Sequence, residues 1–183
     1  MTRTRKAGKI EIPKRGTGGD VTPASAADFK RALRQVTSPV AVVTSSHEGA
    51  IGGLTATTFC SVSSDPPTFL VCLNRGSAVA ALIDASGQFA VSLLADEQHA
   101  VARHFTANES RSASQFSKNG WSSLLSAAPV LDGAVACLDC EVESRFEAGS
   151  HNLYLGRVQA ISTAERDVLL YRDGLFRRLQ PAG

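Results

Sequence analysis

The fold of this 183-residue chain is decided around residues 52–63, which read Gly52-Gly53-Leu54-Thr55-Ala56-Thr57-Thr58-Phe59-Cys60-Ser61-Val62-Ser63. Glycines and small hydroxyl residues stand here where a buried strand is expected, and such residues fill a core poorly. In a barrel wall they let a flat ligand lie against the backbone, with amides and hydroxyls meeting its polar edge. An edge strand whose threonines face water is the alternative interpretation.

Strand and turn patterns extend on both sides of this stretch. The run Val40-Ala41-Val42-Val43-Thr44 is typical of a buried strand. Turn residues at 47–50 join it to extended structure at 51–62, which predicts a β-hairpin. Further strands are predicted at 68–73, 89–94, 134–146, 152–163 and 167–177, and helices at 26–36, 77–85, 96–105 and 110–117, with Ser25 or Thr22 capping the first and Ser77 the second.

This order of elements predicts the fold class. Many strands joined by short turns, without regular alternation of strand and helix, favour an antiparallel barrel over a doubly wound sheet. No G-x-G-x-x-G motif follows a strand and opens a helix, which also disfavours a dinucleotide-binding doubly wound fold. We therefore expect a mainly β chain with flanking helices. It forms a single domain at residues 25–180, preceded by a flexible basic arm at residues 1–24 that is either a solvated tail or a docking segment.

Composition excludes several classes of protein. Hydrophobic residues make up 43% and charged residues 20% of the chain, as in ordinary globular proteins. The net charge is +2, and residues 3–15 carry six basic side chains against one acidic one, so the folded body has no basic excess and nucleic acid is not an expected partner. Without a signal-peptide pattern or an apolar run of about 18 residues, a cytoplasmic location without membrane contact is expected.

The four cysteines lie in apolar, strand-like runs, where reduced cysteine acts as a small hydrophobic residue. Cys60, Cys72, Cys137 and Cys140 are therefore expected in the core. The last two have the spacing of a redox pair or half a zinc site. No second pair completes such a site, and two intervening residues put them on opposite faces of a strand, so no metal is expected.

Two further stretches can act on a ligand. Asn74-Arg75-Gly76-Ser77 stands between a strand and a helix, and a helix N-terminus attracts phosphate. A merely capped helix is the alternative. Gly149-Ser150-His151 precedes a strand, and a histidine there can steer or protonate a ligand because its free pKa of about 6.5 lies near neutrality. A histidine in a surface turn is the alternative.

The ordered set of motifs from Phe29 to Leu179 resembles the flavin reductase-like domain, the small reductase component of two-component flavin monooxygenases. Within that family it is most similar to reductases of phenol and chlorophenol 4-monooxygenase systems. The matching motifs are Phe29-Lys30-Arg31-Ala32-Leu33, Val40-Ala41-Val42-Val43-Thr44, Gly53-Leu54-Thr55-Ala56, Phe59, Ser61-Val62-Ser63, Asp65-Pro66-Pro67, Phe89-Ala90-Val91, Pro129-Val130-Leu131, Gly149-x-His151 and Leu155-Gly156-Arg157-Val158.

The resemblance implies an antiparallel FMN-binding split β-barrel that forms a homodimer with its pocket between subunits. It implies an NAD(P)H-dependent flavin reductase that passes hydride from NADH to FAD and releases reduced flavin to a separate monooxygenase acting on an aromatic substrate. FMN is the alternative to FAD, and NADPH is the alternative to NADH, although no basic cluster suits the extra phosphate of NADPH. A non-catalytic flavin carrier or sensor on the same barrel is the alternative.

The resemblance also assigns residues. His151 would lie beside the nicotinamide as the catalytic residue. The flavin ring and ribityl chain would contact Thr55, Ala56, Thr57, Thr58, Ser61, Val62 and Ser63. The phosphate would contact Asn74, Arg75, Ser77 and Ala78. Phe105, Tyr171 and Arg172 would lie near the same pocket, the last two either from the same chain or from the other subunit of the dimer.

Two positions depart from the family pattern. The usual Thr-Ala-Asn-Ser-Phe reads Thr-Ala-Thr-Thr-Phe, so the Thr57 hydroxyl replaces an amide that has more hydrogen-bonding atoms, and weaker flavin binding is expected. The usual Gly-Asp-His reads Gly-Ser-His, so Ser150 removes a carboxylate beside the histidine. For His151 a positioning role is therefore expected rather than acid–base chemistry.

Overall fold

The computed structural model describes residues 23–107, 116 and 120–180. The helices are α1 (Ala26–Leu33), α2 (Ala78–Ser86) and α3 (His99–Ala107), the last preceded by a 3-10 turn at Asp96–Gln98. The strands are β1 (Ser38–Pro39), β2 (Ala41–His47), β3 (Ala50–Ala56), β4 (Phe59–Ser64), β5 (Pro67–Asn74), β6 (Gln88–Leu93), β7 (Trp121–Ser123), β8 (Pro129–Leu131), β9 (Ala136–Ala148), β10 (His151–Thr163), β11 (Leu170–Arg172) and β12 (Leu175–Arg177).

Seven strands form one antiparallel sheet in the order β3-β2-β6-β9-β10-β5-β4. Its two edges, β3 and β4, are separated in sequence only by Thr57 and Thr58. Three peptide links span at most about 11 Å, so the sheet must curl until its edges meet at this corner. Within the described ranges no ladder joins β3 to β4. The barrel is therefore open along one side, and the expected antiparallel split barrel is confirmed.

Residues 40–43 show how the barrel wall is buried on both faces. Ala41 and Val43 point into the barrel, where they pack with α2, whereas Val40 and Val42 point outward beneath α3 and the β7–β8 hairpin. All four side chains are at most 1% exposed. Burying a valine contributes about 1.5–3 kcal/mol, so this run anchors the inner and outer cores together.

Gly156 allows β10 to pass over the ring of Phe89. A Cβ at this position would stand 2.6 Å from two carbons of that ring and 2.9 Å from the Cβ of Cys140. The ladder between β9 and β10 also shifts register between Leu155 and Gly156. The glycine in the Leu-Gly-Arg-Val motif is therefore explained by packing inside the barrel.

Two predicted elements need correction. The extended segment expected at 51–62 breaks at Thr57–Thr58, and its second half pairs with β5 rather than continuing the hairpin with β2. The long strand expected at 167–177 is a short hairpin, because Asp173 and Gly174 adopt left-handed conformations with φ of 49° and 81° and reverse the chain. This hairpin forms a small separate sheet with β1.

Ser25 and Ser77 cap helices α1 and α2, as the sequence predicts. Ser25 accepts a hydrogen bond from the Asp28 amide at 3.1 Å, and Ser77 accepts one from the Ala80 amide at 3.1 Å. Helix α1 ends at Leu33, earlier than expected, and none of its residues is buried. Most of the arm predicted at residues 1–24, and most of the helix predicted at 110–117, lie outside the described residues.

The cysteine expectation is confirmed in part. Cys137 and Cys140 are buried in the outer and inner cores respectively, on opposite faces of β9. Burial, and then the neighbouring Asp139, raise the pKa of the Cys140 thiol to about 12. Cys72 is half-buried, but Cys60 is exposed, because β4 is an edge strand with its outer face in solvent. The core assignment of Cys60 is wrong.

Candidate active site

A cavity of about 540 Å³ lies on the outer side of the barrel wall, between β3, α3 and the β11–β12 hairpin. This volume falls within the range of about 300–1,000 Å³ that small-molecule sites occupy. Its walls combine three threonine hydroxyls, two aromatic rings and one guanidinium, which belong to Thr55, Thr57, Thr106, Tyr171, Phe176 and Arg103. The cavity therefore offers flat apolar surface with polar atoms at its margin.

The hydroxyls of Thr55 and Thr106 both act as hydrogen-bond donors within the protein. Thr55 Oγ1 donates to the Ala102 carbonyl at 2.8 Å, and Thr106 Oγ1 donates to the same carbonyl at 2.7 Å. Each hydroxyl has a single proton, so both oxygens are left as acceptors. They are suited to meet an N–H group on the edge of a ligand.

Gly53 makes room for a side chain of this protein. A Cβ there would stand 2.6 Å from Cε1 and 2.9 Å from Cδ1 of Phe105. Phe105 is 3% exposed and packs against Phe116 and Trp121, with both centroid distances 5.5 Å. The expectation that this glycine lets a ligand approach the backbone is therefore replaced by helix packing. Phe105 lies behind the cavity wall, between the lining residues Arg103 and Thr106.

The predicted phosphate stretch forms the corner between β5 and α2. Asn74 Oδ1 accepts a hydrogen bond from the Gly76 amide at 2.8 Å, and the Ser77 hydroxyl caps the helix. Arg75 forms an ion pair with Glu147 at 3.0 Å. A separate cleft of about 360 Å³ opens between this corner and the start of β3, lined by Arg75, Ser77, Ala78, Ala50 and Ile51 among others. The corner thus borders a cleft, although its polar side chains already have partners.

His151 begins β10 and is paired in register with Asn74. Its side chain is exposed, and Nδ1 lies 2.9 Å from the Ser150 hydroxyl. The Cys72 amide donates to the Thr58 carbonyl at 3.0 Å, and Cys72 pairs with Leu153 on its other side. Two strand spacings, about 10 Å, therefore separate the Thr58 position from β10. The Thr57–Thr58 corner, the β5–α2 corner and His151 all lie at one end of the split.

The remaining candidates do not line the 540 Å³ cavity. Ser61, Val62 and Ser63 are exposed on edge strand β4, and Ser63 is hydrogen-bonded to Asp65 within a turn. Ala56 is 8% exposed and belongs to the inner core. Arg172 donates to Gln35 Oε1 at 3.1 Å.

Arg103 and Thr106 were missed by the sequence reasoning. They stand three residues apart on α3 and so share one helix face. The signal was available as a polar pair flanking Phe105, but only the contact between α3 and β3 shows that this face borders a cavity. Across the described ranges, no group of three or more metal-ligating side chains is present, and no helix is long and apolar enough to span a membrane.

The fold and these motifs define a class of flavin-reducing proteins. Residues 33–180 match the family described as "Flavin reductase like domain", so the chain belongs to that family. It is 34% identical over 161 residues to "FMN reductase (NADH) RutF 1" of Methylorubrum extorquens, covering 87% of this chain and 80% of that protein. It is 35% identical over 154 residues to the "4-hydroxyphenylacetate 3-monooxygenase reductase component" of Pseudomonas aeruginosa, covering 83% and 91%.

A solved structure agrees with this assignment. The NADH:FAD oxidoreductase SgcE6 of Streptomyces globisporus superposes with a TM-score of 0.81 and 32% identity, covering 90% of this chain and 99% of that one. The chain is accordingly a flavin oxidoreductase.

Proposed function

We propose that this protein transfers hydride from NADH to FAD or FMN and releases the reduced flavin to a separate monooxygenase that acts on an aromatic substrate. The observation that carries this proposal is the 540 Å³ cavity, where acceptor hydroxyls and aromatic rings meet beside the Thr57–Thr58 corner. Relatives named for FMN, for FAD and for a monooxygenase component support it.

The residues present fit a flavin. Thr55 and Thr106 would accept the N–H of the pyrimidine edge, and Tyr171 and Phe176 would pack on the ring faces. The Ser77 hydroxyl, which keeps its proton while it accepts from the Ala80 amide, and the Arg75 guanidinium would hold a phosphate. A bound flavin supplies the redox chemistry by accepting hydride at N5, so this chain needs no strong acid or base.

His151 would orient the nicotinamide. When the Ser150 hydroxyl donates to Nδ1, a neutral imidazole carries its proton on Nε2, which then points a donor away from the turn. A donor at the end of the split suits a carboxamide oxygen. Holding the reacting carbon and N5 about 3–3.5 Å apart would supply much of the rate.

A second copy of the chain would cover the apolar surface that one copy leaves in solvent. Phe29 and Leu33 on α1 are 61% and 52% exposed, and Phe146 and Ile161 on the long β9–β10 hairpin are 55% and 58% exposed. Phe29 and Leu33 stand four residues apart and so expose one continuous apolar face of α1, which is typical of an interaction surface. Light scattering after size-exclusion chromatography should give twice the mass of the 19.2 kDa chain.

The test of function is NADH or NADPH oxidation, followed at 340 nm in air, with FAD or FMN added in all four combinations. Turnover is expected with NADH and FAD, and FMN should support a lower rate. A carrier or sensor would bind flavin and leave the NADH absorbance unchanged, and that result would overturn the proposal.

A matched pair of variants links turnover to the cavity. Thr57→Val keeps the shape and removes the hydroxyl, so the KM for flavin should rise about fivefold, the equivalent of one lost hydrogen bond of about 1 kcal/mol. Thr163→Val makes the same change at an exposed position at the end of β10 and should leave the KM unchanged. If both variants changed the flavin KM equally, the Thr57 hydroxyl would not contact the flavin, and the cavity would not be the flavin site.

A further inference from the structure

A chain of hydrogen-bonded side chains runs from the barrel interior to Arg75. The hydroxyl of Tyr154, a residue that is 1% exposed, donates to Asp84 Oδ1 at 3.0 Å. The other oxygen of Asp84 accepts from Arg145 at 2.9 Å, and the second terminal nitrogen of Arg145 donates to Glu147 Oε1 at 2.9 Å. Glu147 Oε2 then accepts from Arg75 at 3.0 Å. Charges alternate along this chain, so Arg145 and Glu147 each lie between two groups of opposite charge.

The sheet places Arg145 and Glu147 on one face of β9. In the ladder between β9 and β10, Arg145 lies opposite Tyr154. Glu147 lies opposite Asn152, which is 3% exposed. Phe146 stands between the two charged residues and points to the other face, because side chains alternate along a strand. The face that carries the ion pairs is therefore not the one on which a second copy would cover Phe146.

Arg145 is fixed in this chain from the side of the barrel core. Hydrogen bonding to Asp84, and then the charge of that carboxylate, raise the pKa of Arg145, so it stays a cation. Asp84 is in turn tied to the buried Tyr154 hydroxyl. Because this anchor does not involve Arg75, Arg145 holds Glu147 beside Arg75 even when the Arg75 guanidinium binds another anion.

Arg75 is also one of the two residues that would hold the flavin phosphate. It lines the cleft of about 360 Å³ together with Ser77. A phosphate there would either take the N–H group that now donates to Glu147 or share the guanidinium with that carboxylate. Sharing brings two anions to one cation, and like charges repel each other. In both arrangements Glu147 lowers the affinity of Arg75 for phosphate.

We propose that Glu147, held in place by Arg145, competes with the flavin phosphate for Arg75 and thereby keeps the flavin exchangeable. This inference rests on the proposed function, in which reduced flavin must leave for a separate enzyme. Glu147 is a positioning residue, since it acts on the flavin through Arg75. Arg145 limits the repulsion, because it compensates part of the Glu147 charge once a phosphate occupies Arg75.

Variants of the two residues should change phosphate affinity in opposite directions. Glu147→Gln keeps the shape and removes the competing charge, so the Kd for FMN should fall about threefold, the size expected of an exposed ion pair. Riboflavin lacks the phosphate and should bind unchanged. Arg145→Gln leaves the Glu147 charge uncompensated beside the phosphate, so the Kd for FMN should rise about threefold. The double variant should match Glu147→Gln alone, because Arg145 acts only through Glu147.

Fluorescence titration with oxidised FMN and with riboflavin measures these constants without nicotinamide or turnover. The matched control is Glu141→Gln on the same strand, where the carboxylate accepts from Gln159 Nε2 at 3.2 Å. Glu141 lies about 20 Å along β9 from Glu147, and the Debye length is about 8 Å at physiological salt. The control should therefore leave the FMN Kd unchanged.

The inference is overturned if Glu147→Gln leaves the FMN Kd unchanged or raises it, if riboflavin binding tightens equally, or if Glu141→Gln has the same effect. An equal loss of FMN affinity from Arg145→Gln with and without Glu147 would make Arg145 a direct phosphate ligand and would also overturn it. Equal binding of FMN and riboflavin by the unmodified chain would show that Arg75 holds no phosphate, whether or not NADH is oxidised. Failure of the proposed function gives a different result, since the unmodified chain would bind FMN but would not oxidise NADH with either flavin.

Discussion

Gly53→Ala tests whether the cavity wall depends on close packing of α3 against β3. The added Cβ would lie 2.6 Å from Phe105 Cε1, whereas ordinary contact begins at 3.4 Å, so the ring or the strand must move by about 0.8 Å. Phe105 has little room to move, because Phe116 and Trp121 stand against it with ring centroids 4.9 Å apart from one another. Overpacking of this kind costs about 1–3 kcal/mol.

Part of this loss is offset because alanine restricts the unfolded chain, by about 0.4–1 kcal/mol. The net decrease in the free energy of unfolding should be about 1–2 kcal/mol. In a protein of this size that lowers Tm by roughly 2–8 °C. The only tryptophan, Trp121, contacts Phe105, so its fluorescence reports unfolding in urea from inside the affected cluster.

Phe105→Leu supplies the control. It shortens the side chain opposite the new Cβ, so the double variant should be at least about 1 kcal/mol more stable than the sum of the two single changes predicts. Gly53→Ala should also weaken flavin binding, because it displaces the α3 side of the cavity, and the double variant should recover flavin affinity together with stability. If Gly53→Ala lowered flavin affinity without lowering stability, and Phe105→Leu restored neither, Gly53 would be a ligand contact and the packing explanation would be wrong.

Three further outcomes are expected. His151→Ala should lower NADH turnover at least about tenfold, roughly 1.4 kcal/mol of barrier, with flavin Kd little changed; an unaltered dependence of rate on NADH would argue against its positioning role. Cys60 should react with a thiol reagent in the native state while Cys140 stays protected until unfolding, with Cys60→Ser identifying the fast phase by its loss; rapid labelling of Cys140 would contradict the burial described. Burial raises the pKa of both Cys140 and Tyr154, so the unfolded chain loses these protons first as pH rises through 9, and the free energy of unfolding should fall between about pH 9 and 12. Tyr154→Phe should reduce that slope, and a flat profile would show that neither group titrates differently on folding.

Local patterns were sufficient for most of the elements and for part of the site. Ser25 and Ser77 are caps because their hydroxyls bond to amides three residues ahead, a contact within one turn of chain. The hairpin of β2 and β3 also needs only near neighbours. Thr55, Thr57 and Tyr171 were named from the family resemblance, and all three line the cavity.

Long-range contacts account for what the sequence reasoning missed. Nothing within residues 52–63 shows that its two halves lie on opposite edges of one sheet, since that depends on β5 pairing with the second half. Arg75 was expected to contact a phosphate, and only the structure shows that it also pairs with Glu147, 72 residues further along the chain.

The sequence alone determined that this chain is a β-rich flavin reductase-like protein, because strand alternation, turns, caps and family motifs are properties of short segments. That Gly53 accommodates Phe105, and that Arg103 and Thr106 border the cavity, became visible only in the folded chain. Those features arise where distant segments meet, and they depend on which side chains the curled sheet brings within contact distance.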